Sequence, residues 1–548
     1  MAFINGKEVL FSAVIHGNSG GGNDRYDEGY ADGEIAGYES GYNKGVEDTT
    51  PKGEVELTEN GTHDVSAYAS AQVSVVAKLQ EKTAIENGEV LPDDGYDGLS
   101  KVTVNVASSG GDGENKLLTT IEGTVTDLTA ADFAGLNTIR KYAFAYCNSL
   151  KNIYIPGNIK SIGEYAFYNL GYANLESIYV ADGVTTLGAY CFSNTTPFRK
   201  NTIRLPVNTL TALPNSLFSN NQNMLGEYVF GKQMTSVGAN AFDGCYMVSK
   251  IELPDTVTSI GQNAFRNCIS ITSFKYPANL TSIPNSAFNM DRELVEFIFP
   301  NNLQTIGTNA FDSCTKFAVP IPDTVTSIGS YAFNNTGYEV IETPSSVTSI
   351  PSNCFSNCQA AKSITIGENV TSIGNQAFYR CLNITTINFN ARECKNLSSN
   401  YNYVFYECGK ESEGVAIRIG NEVKQIPSYI FSPYNNANYA INVKSVTFEP
   451  TSVCKTLGVY AFGYMNKLLN ISIPKSVTQI NNYVFSGCSA LEYIDLTDYG
   501  ADGTFPSFGV YVFQDCPSTF QIRVPSGRKA ELSAMTNWSA YADNIVEV

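Results

Sequence analysis

Among the residues of this chain that could act as nucleophile, base, acid or metal ligand are thirteen cysteines, two histidines and fifty-three carboxylates. Nine of the cysteines share one setting: Cys147, Cys245, Cys268, Cys314, Cys358, Cys381, Cys408, Cys488 and Cys516 each follow a phenylalanine by three residues. Elsewhere Leu170 and Met465 take that place, so the slot asks for a modest apolar group, which a free thiol supplies; Asp291 and Thr336 break the rule. These thiols are therefore expected in a core rather than in disulfides or a metal site, and the odd total suits assembly in a reducing cytoplasm. The histidines, His16 and His63, both lie near the start of the chain. A Ser-His-acid or Cys-His machine cannot then be built in the long C-terminal region. Two carboxylates about 5 to 9 Å apart would suffice to hydrolyse a glycan, but no local motif singles out a pair. The expectation is a non-enzymatic protein without cofactor or catalytic residue.

The elements that carry these residues repeat. Aligned on the phenylalanine of DTVTSIGQNAFRNC (255–268), sixteen copies run from Phe144 to Phe513 at spacings of 22 to 31, most often 23. A period of that size marks a solenoid. Five residues before each Phe stands an apolar side chain such as Ile162, Leu187, Ile260, Ile283 or Ile480, usually followed by Gly or Pro, with Asn400 as the exception. After the Phe come a polar turn and a segment such as LKNIYIP (150–156) or VSKIELP (248–254). Alternating apolar and polar residues make these half-buried strands, which the proline ends because it cannot donate to a ladder. One repeat cannot bury its apolar side alone. Sixteen coils stacked at the strand spacing would form a rod on the order of 75 Å long around a column of Phe rings.

The recurring pattern AFxxCxxLxxIxIPxxVTSIGxxAF, over about residues 117–516, resembles the BspA-type leucine-rich repeat of bacterial and viral surface proteins. That resemblance implies a mainly β leucine-rich-repeat solenoid used for adhesion or recognition. Residues 517–548 are expected to close it: a last strand at Phe520 to Val524, then a helix over 527–545 whose Trp538, Tyr541 and Ile545 cover the exposed core. Similar WSAYADxI endings in the same repeat family favour a cap over a ligand platform.

The first 116 residues differ in kind. Residues 1–22 read as an attachment peptide. Residues 23–50 carry Gly29, Gly33, Gly37, Gly41 and Gly45 at every fourth position with interleaved tyrosines. They are open to two readings, an oligomerising helix packed closely through its glycines or a flexible acidic linker. Residues 51–106 hold two related small β units with hairpin signals at Asn60-Gly61 and Asn87-Gly88, and 107–116 form a linker. The opening MAFINGKEVLFSAVIHG, the Gly-Tyr tetrads and LQEKTAIENGEVLPDDGYDGLSKVTVNV together resemble the N-terminal part of tail-fibre or baseplate proteins of phages infecting Gram-positive gut bacteria. The resemblance implies a virion location, other tail or baseplate proteins as partners through the N terminus, and a homo-oligomer, by analogy a trimer.

Totals narrow the partner. A formal net charge of -18 argues against nucleic acid. No apolar run reaches the roughly eighteen residues needed to span a bilayer. VLFSAVI (9–15) follows Lys7 and Glu8 rather than a basic stretch, so it is not expected to direct export; a virion protein would leave by lysis. A bacterial surface glycan or protein receptor is the expected partner. Its contacts are expected on the outward strand position, where the repeats stop agreeing: Tyr154, Tyr179, Arg204, Glu252, Lys275, Glu342, Asn388 and Arg418. Tyr154 and Tyr179 could stack on sugar rings, or be only exposed strand residues of high β-propensity. The Asn/Tyr-rich insertions bearing Tyr401, Tyr403, Tyr434 and Tyr439 compete as a site. The rival functions are a bacterial adhesin with the same repeats and a glycan-degrading tail protein.

Overall fold

The computed structural model describes residues 127–548 apart from 146, 148–149, 171–174, 196–200, 398–402, 433–440 and 502, and before them the backbone of seven strands. The Gly/Tyr segment, both Asn-Gly turns and the linker lie outside the described residues, as do Tyr401, Tyr434 and Tyr439. The chain divides into two compact units, Met1–Leu205 and Pro206–Val548.

In the first unit Lys7–His16 pairs antiparallel with Ala2–Ile4, Val55–Leu57 and Gln72–Lys78. Gln72–Lys78 pairs in parallel with Thr120–Glu122, and Thr103–Val104 pairs antiparallel with Leu117–Leu118. Among the described residues Val55–Leu57 and Gln72–Lys78 meet this opening strand rather than one another, because a turn signal specifies a local bend and not the partner of the strands beside it. The coils follow: Asp127–Leu128, Asn152–Ile155, Ser177–Val180 and Asn201–Arg204 form one parallel ladder, and Thr138–Ile139, Ser161–Ile162 and Thr186–Leu187 a second.

The second unit repeats the pattern. Its longest ladder runs through Val340–Glu342, Ser363–Ile366, Thr386–Phe389, Val415–Ile419 and Val443–Phe448, with one register shift between Val415 and Ala416. Two-residue strands such as Ser236–Val237 and Ser259–Ile260 form the opposite side of the coil. The long ladder is absent where Pro320 occupies the outward strand position: residues 318–322 form no strand, and Glu296–Ile298 pairs only with Ser273–Lys275. Proline has no N–H to give the ladder there.

The anchor phenylalanines are buried in both units. Ring centroids lie 5.0 Å apart for Phe144–Phe167 and 5.5 Å for Phe167–Phe192. From Phe218 to Phe513 successive centroids are separated by 5.2 to 6.1 Å. The turn around each Phe is itself a ladder. Asn263, Phe265 and Asn267 donate their N–H groups to Asn285, Ala287 and Asn289 of the next coil, while Arg266 and Cys268 donate back within their own turn. The glycine after the aliphatic position serves close approach: a Cβ on Gly261 would sit 2.3 Å from Ala239 N of the preceding coil.

The cysteine slot is a core slot. All thirteen cysteines are free and only Cys516 is less than fully buried. Thiols in the slot donate to the anchor carbonyl of the coil before, for example Cys268 to Phe242 at 3.3 Å and Cys314 to Phe288 at 2.9 Å. Burial pushes Cys394 up to about 12 and Cys454 up to about 11, so these thiols rest protonated.

The C-terminal closure corrects the sequence expectation. Residues 527–545 are not one helix. Lys529–Ala534 is helical, Met535 turns extended, Ser539–Asn544 is 3-10, and Ile545–Glu547 adds a last parallel strand to Gln521–Val524. The run is broken where Met535 is extended and Asn537 takes a left-handed φ of 65°, which no continuing helix allows. Trp538 is fully buried, stacks on Phe508 at 3.6 Å and donates Nε1–H to Pro506 O at 3.0 Å. Arg528 holds the cap to the 500–503 loop by donating to the carbonyls of Gly500, Ala501 and Gly503.

Candidate functional site

Alternation along each strand sends one set of side chains into the core and the next outward. In Asn152–Ile155, Ile153 and Ile155 are buried and Tyr154 is 42% exposed; in Ser177–Val180, Ile178 and Val180 are buried and Tyr179 is 38% exposed. Tyr154, Tyr179 and Arg204 are brought together by register. The two rings stack at 5.2 Å with 4° between planes, and the Arg204 guanidinium lies 5.8 Å from the Tyr179 ring. Both faces of Tyr179 are thus occupied within the chain. The edges and hydroxyls of this column stay open, and only Tyr154 keeps a face that neither ring nor guanidinium of the column takes.

In the second unit the outward position changes chemistry from coil to coil. Glu252 pairs with Lys250 at 2.7 Å and Lys275 with Asp255 at 3.3 Å. The Asp255 carboxyl is held below its usual range first by the Ala278 N–H and then by Lys275. Exposed pairs of this kind contribute little to stability. Glu342, Asn388 and Arg418 fall on one register line with Thr365 between the first two. Asn388 Nδ2 donates to Thr365 Oγ1 at 3.1 Å. Tyr403 belongs elsewhere, half-buried with its ring 5.8 Å from Tyr406 and nearly perpendicular to it. The outward residues are therefore not one convergent site but a graded surface.

A second aromatic ladder escapes a reading based on strands. The residue two before an anchor Phe is left-handed in coil after coil: Tyr142 at φ 59°, Tyr165 at 54° and Tyr190 at 58° in the first unit. Tyr429, Tyr460, Tyr483 and Tyr511 hold the same place in the second at 63°, 53°, 60° and 56°. Asn240, Asn263 and Asn309 show what the position tolerates more readily. A bulky side chain there costs roughly 1–2 kcal/mol, which stacking at about 0.5–1.5 kcal/mol per pair offsets. Tyr142–Tyr165 and Tyr165–Tyr190 stack at 4.9 and 4.7 Å, and Tyr460–Tyr483 at 4.7 Å. The signal was in the sequence as a Tyr two before the Phe in KYAF, EYAF, AYCF, SYIF, VYAF, NYVF and VYVF.

Among the described residues no group of three or more His, Cys, Asp or Glu is placed to hold a metal, and no helix is long and apolar enough to cross a membrane. Parallel coils around stacked phenylalanines, with a variable outer strand face, define a leucine-rich-repeat solenoid. The model of the BspA type leucine-rich repeat region matches residues 125–246, 211–338, 290–412, 326–445 and 434–537. The chain belongs to that family. It is similar in structure to a leucine-rich repeat protein from Bacteroides ovatus ATCC 8483, at 21% identity over 90% of this chain and 98% of that one, with a TM-score of 0.49. A leucine rich cell surface protein from Faecalibacterium prausnitzii A2-165 aligns at 22% identity over 65% of this chain and 94% of its own, with a TM-score of 0.40. No curated protein matches the chain.

Proposed function

We propose that this chain is a non-catalytic recognition protein that contacts a glycan or protein receptor on a bacterial surface through the outer strand face of its coils. The observation that supports it is the contrast within each repeat. The inward residues are interchangeable from coil to coil, whereas Tyr154, Tyr179, Arg204, Glu252 and Lys275 occupy one outward position with different chemistry. A rigid frame with a variable face suits docking.

The finer reading places the protein in a phage tail fibre or baseplate, joined to other tail proteins through its first 106 residues and assembled as a trimer. Its support is the sequence of those residues. Several copies on one particle would then raise avidity without strong single contacts. The test is electron microscopy with an antibody against residues 117–548, paired with binding of the purified chain to bacterial cells. Labelled tail tips are the expected result; labelled bacterial envelopes without particles would replace the virion reading with an adhesin. Failure to bind cells under either display, or release of reducing ends from surface polysaccharide, would overturn non-catalytic recognition itself.

A further inference from the structure

Near the C-terminal end of the second unit the strands Tyr493–Asp495 and Gln521–Val524 lie side by side, with Tyr493 opposite Gln521 and Asp495 opposite Arg523. Residues two apart on a strand share a face, so all four side chains point outward. Arg523 does not bond to its direct neighbour. It crosses the diagonal and lies over Tyr493, its Cζ 3.5 Å from the ring centroid, while its Nε donates to Gln521 Oε1 at 3.4 Å. Asp495 is engaged elsewhere: Oδ1 accepts from the Thr497 N–H at 2.9 Å and Thr497 Oγ1 at 2.7 Å, and Oδ2 accepts from Ser472 Oγ at 3.5 Å. Arg523 makes no ion pair among the described residues, unlike Lys250, Lys275 or Arg266. Its guanidinium faces a groove of about 320 Å³ that Ser489, Glu492, Thr519 and Gln521 also line.

We propose that this groove binds a saccharide bearing a carboxylate or phosphate group, with Arg523 as the oxyanion receptor. A guanidinium already stacked and tethered presents its fork at small entropic loss and matches either oxyanion through two hydrogen bonds. The Ser489 and Thr519 hydroxyls and the Gln521 amide are of the kind that bind ring hydroxyls. Glu492 accepts from hydroxyls but repels a second negative charge. Together with the chain's net charge of -18, it favours an isolated anionic group over a dense polyanion.

This assignment rests on the recognition reading and names its ligand class. The full chain is titrated by calorimetry with trigalacturonate, with a glycerol-phosphate trimer and with neutral cellotriose. The expected result is that one anionic probe binds about tenfold or more tighter than cellotriose, the better arm naming carboxylate or phosphate as the source. Arg523→Met should reduce that affinity to the cellotriose level, Arg523→Lys should restore part of it, and Tyr493→Leu, which keeps the charge but frees it, should fall between. Equal affinity for all three probes, or an unchanged titration for Arg523→Met with an unchanged melting curve, overturns the site. If the wild-type chain binds cells and Arg523→Met binds them equally, this groove fails and recognition stands. If the chain takes the anionic probe but binds no cells, the groove stands and recognition fails.

Discussion

Phe311 and Phe333 stack with centroids 5.6 Å apart and 6° between planes; Tyr154 and Tyr179 stack at 5.2 Å and 4°. The first pair is fully buried and the second is 42% and 38% exposed. Nearly the same geometry therefore recurs inside and outside the coils. Coils held in register, by strand ladders and by the turn ladder around each Phe, bring equivalent residues to about the strand spacing, so aromatics repeated at one position meet, most of them stacked and a few, such as Phe218 and Phe242, tilted. Stacking by itself does not mark a core or a binding site. What separates the two columns energetically is the water each excludes, and that difference can be measured.

The largest effect is expected inside. Phe333→Ala should cost about 3–5 kcal/mol, read as a lowered urea midpoint. A loss below about 1 kcal/mol would show that neighbouring coils close the gap and that the column is not the main glue. Trp538→Ala removes the ring that covers Phe508 and should lower stability by a similar amount. It should also raise light scattering on mild heating, because the end of the stack becomes a free sheet edge; a variant that melts lower but stays monodisperse would limit the indole to a packing role.

A smaller effect of opposite sign is expected at Asp291, which occupies the cysteine slot. It is fully buried, its Oδ1 accepts from the Cys268 N–H at 2.7 Å, and its Oδ2 has no partner. Burial holds its carboxyl well above the usual range, and the nearby Asp243 adds to the rise. The folded chain thus keeps a proton that the unfolded chain releases above about pH 4. Its contribution is fully present below that value and is lost as pH rises toward the folded pKa. Asp291→Cys, which restores the residue of the flanking coils, should stabilise the protein more at pH 7 than at pH 4. Equal gains in melting temperature at the two values would mean that the carboxyl is not held protonated.

The smallest effect is expected outside. Tyr179→Ala should change stability by less than about 1 kcal/mol, and a double-mutant cycle with Tyr154→Ala should return a coupling near 0.5–1 kcal/mol. A coupling as large as the Phe333→Ala loss would erase the distinction between the columns.

The same contrast explains what was legible in the residues. Phe265, Ile260 and Cys268 recur at fixed offsets because each coil solves the same packing problem, so inward positions, strands and the apolar nature of the thiol slot could be read without coordinates. The outward role of Tyr154, Tyr179 and Arg204 followed from alternation alone. The left-handed tyrosine ladder was written in the chain but not readable as a ladder, since φ at Tyr165 or Tyr483 is set by hydrogen bonds to the next coil. The cap was half legible: the burial of Trp538 and Ile545 was expected, but the break at Met535 and the returning strand were not, because both depend on the shape of the end they cover.

By itself the sequence determined the repeat, its period, which residues face inward and that no histidine stands within the coils, all consequences of local pattern and composition. Only the tertiary structure decided which outward groups meet. Arg204 lies over a ring at 5.8 Å, while Arg523 rests on Tyr493 at 3.5 Å beside a groove and leaves Asp495 to Thr497. Contacts between neighbouring coils join residues about a full repeat apart, and their outcome turns on competition among side chains that no local pattern encodes.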